Sequence, residues 1–100
     1  MAKQSLEITH MPQPGGGRYL ARIDDGETAG YLEWEDGGAN VRIAAHTVVP
    51  ARLRGRGIAA ALVERLIADA RAQGFRIVPQ CTYVAAGFAR HPEWADLRAG

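Results

Sequence analysis

The feature that most constrains the fold is a change of hydrophobic period at the glycine-rich stretch RLRGRG, residues 52–57. Before this stretch, apolar and polar residues alternate in several short runs, which is typical of half-buried β-strands. After it, apolar residues recur at the spacing of one face of an α-helix. The change predicts a mixed α/β domain in which strands come first and a helix follows one basic turn.

Four strands are predicted in the first half of the chain. They span residues 6–9, 18–23, 28–34 and 40–49, and the last ends at Pro50. Glycine, proline and aspartate cluster between them, at residues 12–17, 24–27 and 35–38, and these clusters predict turns. We expect the first of these clusters to break any regular structure between strands one and two.

The second half predicts helix, strand and helix. The first helix has one apolar face and is expected to end at Gly74, which suits a helix C-cap. The face comprises Ile58, Leu62, Val63, Leu66, Ile67 and Ala70. A short strand at 75–78 and a second helix at 82–90 follow, with Trp94 docking on the core. The order β-β-β-β-α-β-α predicts an α/β (α+β) fold with a mixed sheet, antiparallel in its first half and with a parallel central pair.

Length and composition indicate one globular domain over residues 1–100, with its core at about 5–97. Hydrophobic residues make up 47% of the 100 residues and the formal net charge is +1, so bulk charge does not point to nucleic acid. The single cysteine, Cys81, allows no internal disulfide. We expect a cytoplasmic protein without a membrane partner, because the sequence has neither a long apolar run nor an apolar signal core at its start.

The basic turn has two interpretations. Arg52, Arg54 and Arg56 alternate with other residues, and Gly55 and Gly57 lie just before the helix. Helix N-termini carry free N–H groups and bind phosphates, and glycine lets a backbone approach a diphosphate closely. The other interpretation is a solvated turn that happens to be basic. The stretch is neither a Walker A loop nor a complete dinucleotide-binding glycine motif.

Two motifs in this order resemble the GCN5-related N-acetyltransferases. Residues 52–59, RLRGRGIA, resemble that family's Gln/Arg-x-x-Gly-x-Gly/Ala loop, which binds the pyrophosphate of acetyl-CoA. Residues 83–88, YVAAGF, resemble the Tyr-x-x-x-Gly-Phe of its late helix. Residues 78–84 and 91–94 are similar to a small single-domain branch, and the whole resemblance spans about 18–97.

The resemblance implies a minimal fold of that family with acetyl-CoA as co-substrate. The backbone of Val48 and Val49 would pair with the pantetheine arm, and the strand at 75–78 would splay from the strand at 41–49 to open a slot for the thioester. The loop residues that would bind the pyrophosphate are Arg52, Arg54, Gly55, Arg56, Gly57, Ile58 and Ala59. No His, Cys, Asp and Glu residues have metal-ligand spacing, so no metal is expected.

Three residues are candidates for catalysis. Tyr83 matches the position that often donates a proton to the departing thiolate, although a half-buried structural tyrosine is an equal alternative. Cys81, at the mouth of the slot, is an acyl-accepting nucleophile, a site contact or a small buried side chain. His46 could deprotonate the amine or be a structural strand histidine. Glu33 and Glu35 could attract a cationic acceptor or act as the base, but such pairs more often form a solvated face.

The acceptor cannot be read from the sequence. The first half has only short turns where most members of the family carry two helices, so we expect an acceptor side that is open or completed by another chain. The acceptor is expected to be a small-molecule or protein amine, and the protein a monomer or weak homodimer. A non-catalytic acyl-CoA-binding protein is the main alternative, and a nucleic-acid-binding module is the second. The sequence lacks the aromatic platform typical of the latter.

Overall fold

The computed structural model of the protein describes residues 5–24 and 26–100. The described chain forms five strands and two α-helices, with a short 3₁₀ turn before the first helix and another after the second. The elements are β1 (Leu6–Gln13), β2 (Gly16–Ile23), β3 (Glu27–Asp36), β4 (Val41–Val48), a 3₁₀ turn (Ala51–Leu53), α1 (Ile58–Gln73), β5 (Arg76–Pro79), α2 (Thr82–Arg90) and a second 3₁₀ turn (Pro92–Leu97).

The strands form a single mixed sheet whose spatial order follows the chain, β1-β2-β3-β4-β5. Strands β1 to β4 pair with one another in antiparallel fashion, and β5 lies parallel to β4. Helix α1 connects the two parallel strands, since a parallel pair needs a long crossover. The predicted fold class, element order and parallel pair are therefore confirmed.

The first hairpin differs from the sequence-based expectation. Strands β1 and β2 pair without interruption from Leu6–Ile23 to Gln13–Gly16, so the connecting turn is only Pro14 and Gly15. The prediction that residues 12–17 break regular structure is wrong. Pro12 is tolerated because β1 is an edge strand. A proline nitrogen on the outer side of an edge strand has no neighbouring strand to bond, so its missing N–H costs no ladder hydrogen bond. Gly15 has φ of +80°, which glycine adopts easily. The predicted turn at 24–27 includes Asp25, which lies outside the described residues.

Helix α1 covers one face of the sheet and forms most of the core with it. All six residues of its predicted apolar face are buried, as are Tyr19 and Leu32 on the facing strands. Trp94 is also buried, which confirms that it docks on the core. Gly74 ends the helix in the left-handed conformation, as expected of a glycine C-cap.

The other face of the sheet carries exposed and half-buried side chains. Tyr31 and Glu33 of β3 are half-buried, and His46 and Val48 of β4 are exposed on the adjacent strand. These side chains leave the end of β4 accessible to solvent. In the described ranges, neither helix is both long and apolar enough to cross a membrane.

Candidate active site

A cleft opens where β4 and β5 separate. Their pairing covers only Val41–Ala44 with Arg76–Pro79, and one further backbone bond joins Cys81 N–H to the Ala44 carbonyl at 2.8 Å. Strand β4 continues to Val48 without this neighbour, so its edge carries backbone groups that have no strand partner there. The cleft has a volume of about 550 Å³. It is lined by Tyr31, Ala45, His46, Thr47, Val48, Gln80, Cys81 and Thr82.

Two local features separate the strands. Pro79 ends β5 because it cannot donate to a ladder, and the chain then turns into α2. On β4, the register shifts between the pairs Glu33–His46 and Trp34–Ala44, which leaves Ala45 as an extra residue in a β-bulge. Bulges bend a strand and redirect its side chains. The bend and the proline together produce the splay that the family resemblance implied.

A glycine on β3 brings the end of β4 close to its neighbour. Gly30 has φ of +147°, and a Cβ there would lie 2.6 Å from the Val48 carbonyl oxygen. Only a residue without a side chain allows this approach, because the contact is with backbone that cannot move aside. Gly30 therefore helps fix the edge of β4 that lines the cleft.

The glycine-rich loop forms the N-terminus of α1. Gly55 and Gly57 have φ of +84° and +78°, and nothing lies within 4 Å of a Cβ built at either position. The backbone conformation requires these glycines, and the space above them is open. The first bond of the helix runs from the Ala61 N–H to the Gly57 carbonyl at 3.0 Å. The N–H groups before Ala61 in the first turn therefore have no intrahelical acceptor, and no acidic residue lies in that turn.

A small cavity of about 120 Å³ lies over this loop. Its lining includes most of the predicted pyrophosphate-binding residues together with Val49 and Tyr83. Consecutive residues line the cleft and this cavity: Val48 and Thr82 belong to the cleft, and Val49 and Tyr83 to the cavity. Free N–H groups and a positive helix end make this loop suitable for an anionic group.

The three arginines of the loop do not act as one cluster. Arg52 forms an ion pair with Glu27 at the start of β3, and the Nε of Arg54 donates to the Val49 carbonyl at 3.4 Å. Arg56 makes no hydrogen bond or ion pair with any described residue. The backbone of the loop thus offers a better-defined set of N–H donors than its side chains do.

Cys81 and His46 line the same cleft but are not hydrogen-bonded to each other. The buried Cys81 thiol donates to the Thr47 hydroxyl at 3.2 Å, whereas His46 is exposed. Thr47 was not singled out from the sequence, because its contact with Cys81 joins residues of two separate elements. Tyr83 is 40% exposed and lines the loop cavity rather than the cleft.

The two carboxylates on β3 have different surroundings. Glu33 faces His46 in the strand register and forms an ion pair with Arg18 at 2.5 Å. The Arg18 guanidinium also lies 4.2 Å from the centre of the Tyr31 ring. Glu35 pairs with Ile43, farther from the cleft. The charge of Glu33 is thus compensated by Arg18 at the edge of the cleft.

Among the residues described, no three His, Cys, Asp or Glu side chains come together as metal ligands. The geometry is instead that of an open cleft next to a glycine-rich loop with free N–H groups.

Comparison with known proteins identifies the family. A family model for the GCN5-related N-acetyl-transferases matches residues 18–97. The solution NMR structure of a GCN5-like candidate N-acetyltransferase from Staphylococcus aureus is similar in fold, with a TM-score of 0.70 and 19% sequence identity over 95% of this chain and 89% of that chain. No curated protein matches the chain significantly. The match over most of the chain, together with the splayed strands and the glycine-rich loop, shows that this chain belongs to the GCN5-related N-acetyltransferase family.

Proposed function

We propose that the protein transfers the acetyl group of acetyl-CoA to the nitrogen of an amine. The observation that carries this proposal is that the cleft and the loop cavity are lined by the consecutive residues Val48 and Val49. An extended pantetheine arm in the cleft can pair with the free edge of β4. Its diphosphate then reaches the N–H groups before Ala61, where the positive end of α1 favours it.

Acetyl transfer needs three events at the thioester. His46 accepts a proton from the amine, directly or through water, so that the neutral nitrogen can attack the carbonyl carbon. As the C–N bond forms, N–H groups on the free edge of β4 stabilise the negative charge on the carbonyl oxygen. The C–S bond then breaks, and the Tyr83 hydroxyl donates its proton to the CoA thiolate.

We propose direct transfer to the amine, with Cys81 as a contact for the acetyl group. A cysteine nucleophile needs a base that removes its proton. The Cys81 thiol instead donates to the Thr47 hydroxyl, which is a poor base at neutral pH. Intact-mass measurement after incubation with acetyl-CoA alone tests this point. We expect no added acetyl group, and an acetyl group on Cys81 would establish the covalent route.

The function is tested by release of CoA from acetyl-CoA in the presence of a panel of amines and peptides. We expect turnover with at least one amine. His46→Gln and Tyr83→Phe should each lower kcat by about 10²-fold or more, the usual contribution of a positioned acid or base. Their dissociation constants for acetyl-CoA, measured by calorimetry, should change little. Glu7→Gln, an exposed carboxylate on β1, is the control and should retain full activity.

The same measurements separate the alternatives. Acetyl-CoA binding without turnover on any amine would make the protein a non-catalytic acyl-CoA binder. Binding of an oligonucleotide, but not of acetyl-CoA, would favour a nucleic-acid-binding module. Full turnover in both His46→Gln and Tyr83→Phe would show that the catalytic residues are assigned wrongly.

A further inference from the structure

A cavity of about 350 Å³ lies at the end of the sheet opposite the cleft. It opens near the start of β4 and β5 and the end of β1 and β3, and it shares no lining residue with the cleft or the loop cavity. Its size falls within the range of small-molecule sites. Along β4, Arg42 in this cavity is roughly 13 Å from His46 in the cleft, at about 3.3 Å per residue. A small ligand in the cavity is therefore out of reach of His46.

The glycine run of the first hairpin, residues 15–17, positions an aromatic wall of this cavity. A Cβ at Gly17 would lie 2.7 Å from the indole of Trp34, so only a residue without a side chain lets the ring lie against β2. The Trp34 Nε1 also donates to the His10 Nε2 at 3.1 Å. The Trp34 ring that lines the cavity is thus held in a defined position.

Arg42 is held between two aromatic rings beside this wall. Its guanidinium lies 4.0 Å from the centre of the Trp34 ring and 3.9 Å from that of the Phe75 ring. Its Nη1 donates to the Tyr19 hydroxyl and its Nη2 to the Gln73 side-chain oxygen, each at 3.2 Å. A guanidinium has five N–H groups, so further donors of Arg42 are left without an acceptor among the described residues.

Asp36 lines the same cavity but does not pair with Arg42. The two residues lie directly opposite each other in the β3–β4 register, where side chains of opposite charge normally interact. They nevertheless form no ion pair. The Oδ1 of Asp36 instead accepts from the Gly38 N–H at 3.2 Å, and its Oδ2 accepts from no described residue. The cavity thus has a positive and a negative group side by side that do not neutralise each other.

We propose that this cavity binds a free α-amino acid. The carboxylate of the ligand accepts from the remaining N–H groups of Arg42, whose planar fork suits a carboxylate. The ammonium group of the ligand donates to Asp36, and an apolar side chain packs against Trp34 and Val41. An α-amino acid carries its two charges on one carbon atom and can bridge the two groups. A simple anion would face Asp36 and a simple amine would face Arg42, so neither matches the cavity as well.

The test is calorimetry with L-leucine, L-methionine and L-phenylalanine in the absence of acetyl-CoA. We expect at least one of them to bind with a dissociation constant of about 1 mM or tighter, which a ligand of this size can reach. The N-acetyl derivative of that amino acid lacks the ammonium group, and its amide lacks the carboxylate. Each should bind at least about tenfold more weakly, because each leaves one charged group of the cavity without a partner.

Asp36→Asn tests the ammonium contact on the side of the protein. Asparagine keeps an acceptor for the Gly38 N–H, so the turn should be retained, but it removes the charge. The variant should bind the amino acid about tenfold more weakly and the N-acetyl derivative as the wild-type protein does. Arg42 also ties β4 to β2 and α1, so its contact with the carboxylate is tested by the amide rather than by substitution.

Glu35→Gln is the matched control. It removes the same charge from the adjacent residue of β3, whose side chain points to the opposite face of the sheet. This variant should bind the amino acid as tightly as the wild-type protein does. Equal weakening in Asp36→Asn and Glu35→Gln would show an effect of net charge and overturn the assignment of Asp36.

The indole N–H signals of the two tryptophans locate the ligand by NMR. The amino acid should shift the signal of Trp34 and leave that of Trp94, which is buried among other elements, unchanged. The proposal is wrong if none of the three amino acids binds at about 10 mM. It is also wrong if the N-acetyl derivative and the amide bind as tightly as the amino acid, or if only the Trp94 signal shifts. None of these results bears on the proposed acetyl transfer, which is measured by release of CoA.

Discussion

His10 on the edge strand β1 is held in an environment that favours its neutral form. Its ring stacks on Tyr19 at 4.4 Å, and its Nε2 accepts a hydrogen bond from the Trp34 indole at 3.1 Å. Burial lowers its pKa below the usual value of 6.5, and Arg42 and Arg65 lower it further, whereas Asp69 acts in the opposite direction. Protonation would also remove the acceptor that Trp34 uses.

The lowered pKa of His10 predicts that the folded state loses stability in mild acid. The unfolded chain takes up a proton at this residue as the pH falls through about 6.5, before the folded chain does, so stability is present above that pH and is lost below it. The measurement is the free energy of unfolding in urea between about pH 5 and pH 8.

His10→Gln is the informative variant, because glutamine keeps an acceptor for Trp34 but does not titrate. We expect its stability to depend less on pH in this window than that of the wild-type protein. Equal pH dependence in the two proteins would mean that His10 does not contribute to the acid sensitivity.

The loop before α1 illustrates how an element can be specified by backbone conformation alone. Gly57 is the N-cap of α1 with φ of +78°, and no side chain caps the helix. A left-handed conformation costs a residue with a side chain about 1–2 kcal/mol. The free N–H groups that follow Gly57 keep their direction only while this conformation holds.

Gly57→Ala should therefore lower both the free energy of unfolding, by about 1 kcal/mol, and the affinity for acetyl-CoA, by about tenfold or more. The loss of affinity has two causes. The N–H groups turn away from the diphosphate, and the added Cβ enters the open space above the loop. Urea unfolding and calorimetry measure the two effects.

Gly15→Ala is the matched control for this prediction. Gly15 has φ of +80° with nothing within 4 Å of a Cβ, and it lies in the first hairpin. Its substitution should lower the free energy of unfolding by a similar amount without changing the affinity for acetyl-CoA. Equal losses of affinity in the two variants would show that the loop has no special role in binding.

In the whole molecule, one face of the sheet is covered and the other is open. The core lies between the sheet and α1, whereas the end of β4 and the cleft stay accessible from the other side. A small domain of 100 residues buries a limited core, so a bound ligand that bridges several elements can add a large share of the stability. Acetyl-CoA in the proposed cleft and loop would contact β4, the loop and the start of α1.

Acetyl-CoA should accordingly raise the melting temperature. At about one hundred times its dissociation constant, a ligand that binds only the folded state adds about 2.7 kcal/mol. For a domain of this size the increase corresponds to a shift of about 10 °C or more. Differential scanning calorimetry with acetyl-CoA, and with an oligonucleotide as control, makes the measurement. An equal shift with the oligonucleotide would argue against a specific acetyl-CoA site.

The sequence by itself determined the element order and the position of the loop. Period-two and helical patterns report which side chains face a core, and this information is local to each element. The apolar face of α1 could be predicted for that reason. The glycine-rich turn before α1 could be predicted as well, because the positive φ of Gly55 and Gly57 is a local property of the backbone. The length of β1 could not be predicted in this way. Pro12 is acceptable in a strand only at the edge of a sheet, and only the assembled sheet defines which strand is at the edge.

Only the tertiary structure decided which side chains share the cleft. The Thr47–Cys81 hydrogen bond joins residues 34 positions apart, and the Ala45 bulge appears only when β4 is paired with β3. The fit of Trp94 under Gly87 likewise depends on how two elements pack. Contacts of this kind arise from the relative placement of elements, which local periodicity does not encode. The sequence therefore located the loop proposed to bind the donor, whereas the packing of β4, β5 and α2 determined the shape of the cleft beside it.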